Sequence, residues 1–264
     1  MEQTGMNTQT PDNVITLDIS TVKTLQIGYQ AETLFLSHAE DDQLTIKEYI
    51  GYTAYEYLGK VNANRFKTTI RYGRREGVNT KSYVEIFLPK FWHGELLLYT
   101  QYGHITCKDS IEVERFAAET SEGSITLSEI KAPRIRLVSS SNSILLEKAT
   151  GFADIHTTSG NIVVHSIEGG AKLESTTGVI DASFIALSNI VECGSLSGNI
   201  QLTLPKEGGI NVDGITKTGE ISTSIDALSI KNKPGNIKNI VGSMGENPFQ
   251  NVRISTINGS IIIE

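Results

Sequence analysis

A glycine returns through the second half of this chain at nearly even intervals. It stands at Gly103, Gly123, Gly160, Gly178, Gly198, Gly219 and Gly259, and Asn142 fills the one vacant slot. Successive spacings are 20, 19, 18, 18, 20, 21 and 40 residues, the last about two repeats long. Two residues after each position stands an isoleucine: Ile105, Ile125, Ile144, Ile162, Ile180, Ile200, Ile221 and Ile261. Three residues before it stands a hydroxyl: Thr100, Thr120, Ser139, Thr157, Ser175, Ser195, Thr216 and Thr256. The residues five and seven before it are almost all apolar, as in Leu96 and Leu98 or Ile135 and Leu137. That alternation has the period of a strand, whereas a helix would space its apolar residues three and four apart.

A short, uniform period of this kind predicts an all-β fold, a β-solenoid that is single-stranded and β-helix-like, with coils of about 19 residues. Each coil lacks a core of its own, and its neighbours supply one. Equivalent side chains then stack in ladders at the ordinary strand spacing of about 4.8 Å. The isoleucine ladder is expected inside, and the hydroxyl ladder at a corner where it satisfies backbone groups. The repeated glycine reads as a turn residue, with Asn142 the next best residue for a left-handed backbone. A β-sandwich seldom shows such a period, and a propeller blade of about 40 to 45 residues is twice too long. Composition agrees: 32 isoleucines and 50 serines and threonines favour strands over helices.

The chain changes character near residues 90 to 100. All 9 tyrosines lie between Tyr29 and Tyr102, and the single tryptophan, Trp92, lies among them. Three regions are expected: a disordered or linker segment at 1–13, an N-terminal β region and cap at 14–95, and solenoid repeats at 96–264. The stretch 231–250, rich in Gly, Asn, Lys and Pro, breaks the pattern and reads as a long loop or a degenerate coil before the last one. The strand after Gly259 reads as an apolar edge that either pairs with another copy or is covered by the preceding loop.

The net charge of -7, without a basic stripe, argues against a nucleic-acid partner. No apolar run reaches the ~18 residues of a membrane helix, and the first residues show no secretory leader. Cys107 and Cys193 fall in apolar columns five coils apart, about 24 Å at that spacing, so no disulfide is expected. The five histidines have no metal-ligand spacing, and neither metal nor cofactor is expected. Asp154, His156 and Ser159 lack a nucleophile elbow. Acidic residues show no matched positions that would make a polysaccharide-cleaving site. One compact basic patch stands out, Arg71, Tyr72, Arg74 and Arg75. It reads either as a solvated hairpin tip or as a contact for an anionic polymer or lipid headgroup. The cluster Tyr49, Tyr52, Tyr55 and Tyr57 reads as core or as a binding face, with Tyr55 and Tyr57 alternating along one strand.

The segment YVEIFLPKFWHGELLLYTQYGHITC, the units TTSGNIVV, STTGVIDA and SLSGNIQL, and the ending GSMGENPFQNVRISTINGSIII resemble the bacterial putative-adhesin family of β-strand-repeat proteins, domain of unknown function family 4097. The resemblance is clearest from Tyr83 to Glu264. It implies a β-solenoid-like fold at the bacterial cell envelope, with a tie to envelope stress in some members and no catalytic residues to carry over. The expected function is a non-enzymatic interaction or scaffold module whose partner is an envelope polymer, lipid or protein. The alternatives are a carbohydrate-active β-helix enzyme and a cytoplasmic, self-associating scaffold.

Overall fold

The computed structural model describes residues 9–77 and 81–264. Of the segment expected to be disordered, residues 1–8 lie outside the described residues, and Asn13 already opens a strand. Among the described residues there are 21 strands in one hydrogen-bonded network and no helix. The first seven are β1 (Asn13–Leu17), β2 (Thr24–Gly28), β3 (Thr33–His38), β4 (Leu44–Tyr49), β5 (Lys60–Ala63), β6 (Lys67–Arg71) and β7 (Tyr83–Leu88). The middle seven are β8 (Glu95–Thr100), β9 (Ile105–Glu112), β10 (Arg115–Thr120), β11 (Ile125–Ser139), β12 (Ile144–Thr157), β13 (Ile162–Ser175) and β14 (Ile180–Ser195). The last seven are β15 (Ile200–Thr203), β16 (Ile210–Thr216), β17 (Ile221–Thr223), β18 (Leu228–Asn232), β19 (Lys238–Met244), β20 (Gln250–Thr256) and β21 (Ile261–Ile263).

The turn positions divide each coil into a leg before the turn and a leg after it. Both legs stack in parallel, and the repeat columns meet residue for residue. Ile125 faces Ile105 and Ile144, Ile162 faces Ile180, and Ile200 faces Ile261. All eight repeat isoleucines are buried. Each fully buried isoleucine contributes roughly 1.5–3 kcal/mol of hydrophobic stabilisation. Columns on the other leg trade volume: Phe116 lies beside Ala118, and Ala153 and Ala171 lie beside Ile155 and Leu173, all buried. A large residue in one column is thus offset by a small one two positions along, which keeps the narrow interior filled.

The hydroxyl column sits at the turn and joins neighbouring coils. Thr157 Oγ1 accepts from the Gly160 N–H at 3.0 Å and donates to the Asn142 carbonyl of the coil before at 3.4 Å. Ser175 repeats this with Gly178 and Gly160, at 2.9 and 3.2 Å. Thr120, Ser139, Thr216 and Thr256 make the same pair of bonds. The turn glycines have a different cause from the one expected. None of the eight turn residues has a positive φ. Glycine fits here because adjacent turns nearly touch: a Cβ on Gly178 would overlap the Gly160 carbonyl, and one on Gly160 would overlap the Asn142 carbonyl. Asn142 carries a side chain at this position, and its Nδ2 donates to the Glu122 carbonyl of the turn before.

Chain order and stack order differ at both ends. At the N-terminal end, β2 and β3 lie inside, between β6 and β8 and between β7 and β9 respectively. Antiparallel β4 and β1 follow outside β7, and β5 folds back on β6. At the C-terminal end, β20 lies between β14 and β16, and β21 between β15 and β17. Two expectations are corrected here. The strand after Gly259 is interior, with Ile261 and Ile263 buried on both sides, so it offers no edge for self-association. The stretch 231–250 is not one long loop, because β19 lies within it and pairs antiparallel with β16 and β18.

Candidate functional site

The basic patch comes apart in the structure. Arg71 closes β6 opposite Gly28 and is exposed. Tyr72 N–H donates to the Gly28 carbonyl at 3.1 Å, and its ring lies 5.5 Å from the Arg75 guanidinium. Arg74 is exposed and pairs with Glu76 at 3.5 Å. Arg75 is withdrawn into the fold: its Nε meets Glu32 Oε1 at 2.6 Å and its Nη1 donates to the Tyr57 carbonyl at 2.6 Å. Its side chain is only 8% exposed and that of Glu32 only 2%. Glu32 Oε2 also accepts from the N–H groups of Gln30 and Ala31, so Arg75 ties the segment 72–77 to the coil formed by β2 and β3. Arg75 therefore serves as a structural tie, and the patch keeps only Arg71, Tyr72 and Arg74 at the surface.

The tyrosine cluster divides in the same way. Tyr49 is buried and stacks on Tyr83 with centroids 4.4 Å apart. Burial first, then the nearby Glu85 carboxylate, push its phenol up to about 12. Tyr52 and Tyr57 stack at 4.6 Å, while Tyr55 is 78% exposed. Tyr55 and Tyr57 do not alternate along a strand, since residues 50–59 form the connection between β4 and β5. Further inside, Tyr29 Oη donates to the buried Glu48 at 2.7 Å. Desolvation raises the Tyr29 phenol well above the ordinary value.

Both cysteines are unpaired and buried, and burial pushes the Cys107 thiol up to about 12 and raises that of Cys193 further. Such thiols are poor nucleophiles. Asp154, His156 and Ser159 each turn to a neighbouring coil: Asp154 to Arg136 at 2.9 Å, His156 to Glu174 at 3.7 Å and Ser159 to the Ser141 carbonyl at 3.4 Å. Among the described residues no group of three or more His, Cys, Asp or Glu is placed to hold a metal ion.

Sequence reasoning missed a pattern on the outer face of the leg before the turn. Six before the first two turn positions stand Leu97 and Ala117, and six before the other six stand Arg136, Asp154, Lys172, Glu192, Asp213 and Arg253 in chain order. In stack order, Arg136 faces Asp154, Asp154 faces Lys172, Lys172 faces Glu192, Glu192 faces Arg253, and Arg253 faces Asp213. The signs alternate without a break only because β20 lies between β14 and β16. Ion pairs run along the ladder at Arg136–Asp154 (2.9 Å) and Arg253–Glu192 (3.5 Å), and Arg136 also meets Glu119 at 3.3 Å. A cavity of about 350 Å³ opens over Gly194 and brings Glu174, Glu192 and Asp213 together. Carboxylates converging in a groove would suit glycoside chemistry, but a general acid must be held protonated by burial or by a second carboxylate. Here Glu192 has Arg253 beside it and Glu174 has Lys172 at 3.1 Å, and both carboxylates are more than two-fifths exposed. The arrangement neutralises charge and does not favour a proton donor.

One departure from neutrality lies in the next column. Arg115 and Arg134 stand directly opposite each other on β10 and β11. Both are exposed, and among the described residues neither forms an ion pair. They flank a groove of about 530 Å³ whose wall also includes Pro133, Arg136, Phe152 and Asp154. The groove follows from the local chain. Register between β11 and β12 shifts between Lys131 and Arg134, where Pro133 has no N–H to offer the ladder.

Comparison with known proteins agrees with this architecture. The chain aligns over 96% of its length with a putative adhesin from Bacteroides fragilis NCTC 9343, at 13% identity and a TM-score of 0.54, covering 97% of that chain. A putative adhesin from Parabacteroides merdae ATCC 43184 aligns over 96% of this chain and 95% of its own, at 12% identity and a TM-score of 0.55. At such identities the likeness is one of fold. No curated protein matches the chain. The model of the family described as Toastrack DUF4097 matches residues 22–264, which span the stacked coils from β2 to β21. The chain therefore belongs to the Toastrack DUF4097 family.

Proposed function

We propose that this protein is a non-enzymatic interaction module of the bacterial cell envelope, a rigid stacked surface that holds a partner without transforming it. The observation that carries the reading is the alternating charge ladder from Arg136 to Asp213, which makes a long outer face regular and self-neutralised. A flat, evenly spaced face of this kind suits a repetitive or extended partner better than a small substrate. The solved structures of like fold are named putative adhesins, which supports a binding role. The test has two halves. Fractionation of native cells with protease shaving of intact cells should place the protein in the envelope, accessible from outside. Purified protein should sediment with isolated envelope material from the same cells. A protein that stays protected in the soluble fraction and fails to sediment with envelopes overturns the proposal.

A further inference from the structure

We propose that the groove between Arg115 and Arg134 is a binding site for a sugar unit that carries an oxyanion, either a uronate carboxylate or a sugar phosphate. The inference rests on the reading of the chain as a binding module and names the chemistry that one of its faces would recognise.

Three independent features of the groove point to such a ligand. The first is charge placement. Like charges directly opposite across a strand pair are destabilising. The neighbouring column avoids that arrangement at every step from Arg136 to Asp213, while this column sets Arg115 against Arg134. On its other side Arg115 faces Glu95, but that carboxylate accepts a hydrogen bond from Thr24 Oγ1 at 3.2 Å and forms no ion pair with Arg115. In a chain with a net charge of -7, two adjacent guanidinium groups without an ion-pair partner among the described residues are a local exception. An oxyanion between them would turn their repulsion into two charge-assisted contacts, and the planar guanidinium fork is suited to carboxylate and phosphate.

The second feature is shape. The interruption at Pro133 opens a groove of about 530 Å³, within the range of small-ligand sites. Gly151, at φ 122, lets the next coil pack closely behind this interruption, since a Cβ there would overlap the Ala132 carbonyl. The third is the wall. Phe152 faces Arg134 across the strand pair and is half-buried, which gives the groove one apolar side next to its cationic side. An acidic sugar has both complements: a C–H face for the ring and an oxyanion for the arginines. Arg136 and Asp154 close the groove and are already paired with each other, so they shape the site without changing its net charge.

Isothermal titration of the full chain at low salt tests the proposal with four probes: an oligogalacturonate, glucose 1-phosphate, inorganic phosphate, and phosphatidylglycerol vesicles. Binding of the oligogalacturonate or of glucose 1-phosphate, tighter than inorganic phosphate, is expected, and which of the two binds identifies the carboxylate or the phosphate. The double variant Arg115→Gln/Arg134→Gln should weaken that binding by roughly tenfold or more. Its melting temperature should not fall, because it removes a repulsive pair, and circular dichroism of the same sample confirms that it is folded. Lys172→Gln, in the alternating ladder, should bind as the parent does. No binding of either sugar, unchanged binding by the double variant, or binding only to vesicles overturns the proposal. Envelope sedimentation separates the two levels. If the double variant loses sugar binding but still sediments, the module reading stands and the groove is one contact among several. If the parent neither binds sugar nor sediments, both readings fall.

Discussion

The central coils and the N-terminal end are held together by different means, although they share one continuous stack. From β10 to β13 stability comes from one small device repeated at every turn: a buried hydroxyl that accepts its own turn's N–H and donates to the turn before. The N-terminal end has unique, long-range polar ties instead. Arg75 reaches Glu32 across 43 residues, and Tyr29, Asn13 and the Gly59 N–H all converge on the buried Glu48. A repeat spreads its stabilisation over many equivalent places, so no coil depends on a special partner. An end has neighbours on one side only and must be closed by contacts that occur once.

Several substitutions would break or sharpen that comparison. The largest effect is expected from Gly178→Ala, whose Cβ would overlap the Gly160 backbone. It should cost more than about 3 kcal/mol in urea unfolding or prevent folding. The same change at Gly51, at φ 76 with open space around it, should cost only the backbone strain of about 1–2 kcal/mol. Equal losses at the two glycines would remove the stacking argument. Next in size is Arg75→Ala, which leaves the Glu32 carboxylate buried without its cation and should cost about 3–5 kcal/mol. Removing Glu32 as well should recover part of that loss. Thr157→Val should cost about 1–3 kcal/mol, the desolvation of an orphaned turn N–H and carbonyl.

A smaller effect is expected from alkaline pH. The fold favours the neutral phenol of Tyr49, held up to about 12 against 10.0 in the unfolded chain. Stability from this group is therefore full below pH 10 and lost as pH rises toward 12. Tyr49→Phe should flatten that part of the pH profile, although the buried thiols continue to contribute above pH 9. The smallest change is expected from Arg253→Ala, an exposed member of the charge ladder, at about 0.5 kcal/mol or less and vanishing at high salt.

The central coils were legible in the sequence because their period is local. Gly160, Ile162 and Ser175 recur at fixed offsets, and those offsets became columns in the fold. The ends were less legible because the information is pairwise and distant. Nothing near Arg75 in the chain announces Glu32, so a residue that closes the core looked like part of a surface patch. The turn glycines stand out in the sequence by their spacing, and backbone handedness is the reason the sequence suggests for them. The actual constraint is a neighbouring turn about 18 residues away, visible only once the coils are stacked. The alternating charges were present in the sequence but out of order. With Asp213 before Arg253 the alternation fails, and only the insertion of β20 restores it. The Arg115–Arg134 pair was hidden for a similar reason, since the two residues are 19 positions apart and become neighbours only in register.

The insertion of β20 and β21 also bears on how the chain is made. Coils from β8 to β14 can add one after another as they leave the ribosome, each docking on the one before. The coil formed by β16 and β17 cannot, because its seat next to β14 and β15 belongs to residues 250–263. Val212 and Gly214 have β19 on one side, but they join the rest of the stack only through β20, and the closure that brings Ile254 to Cys193 spans 61 residues. Long-range closure is the slow step in folding. Synthesis therefore leaves residues 210–244 waiting, and the stack is completed from the inside when the last coil arrives and locks the waiting one in place.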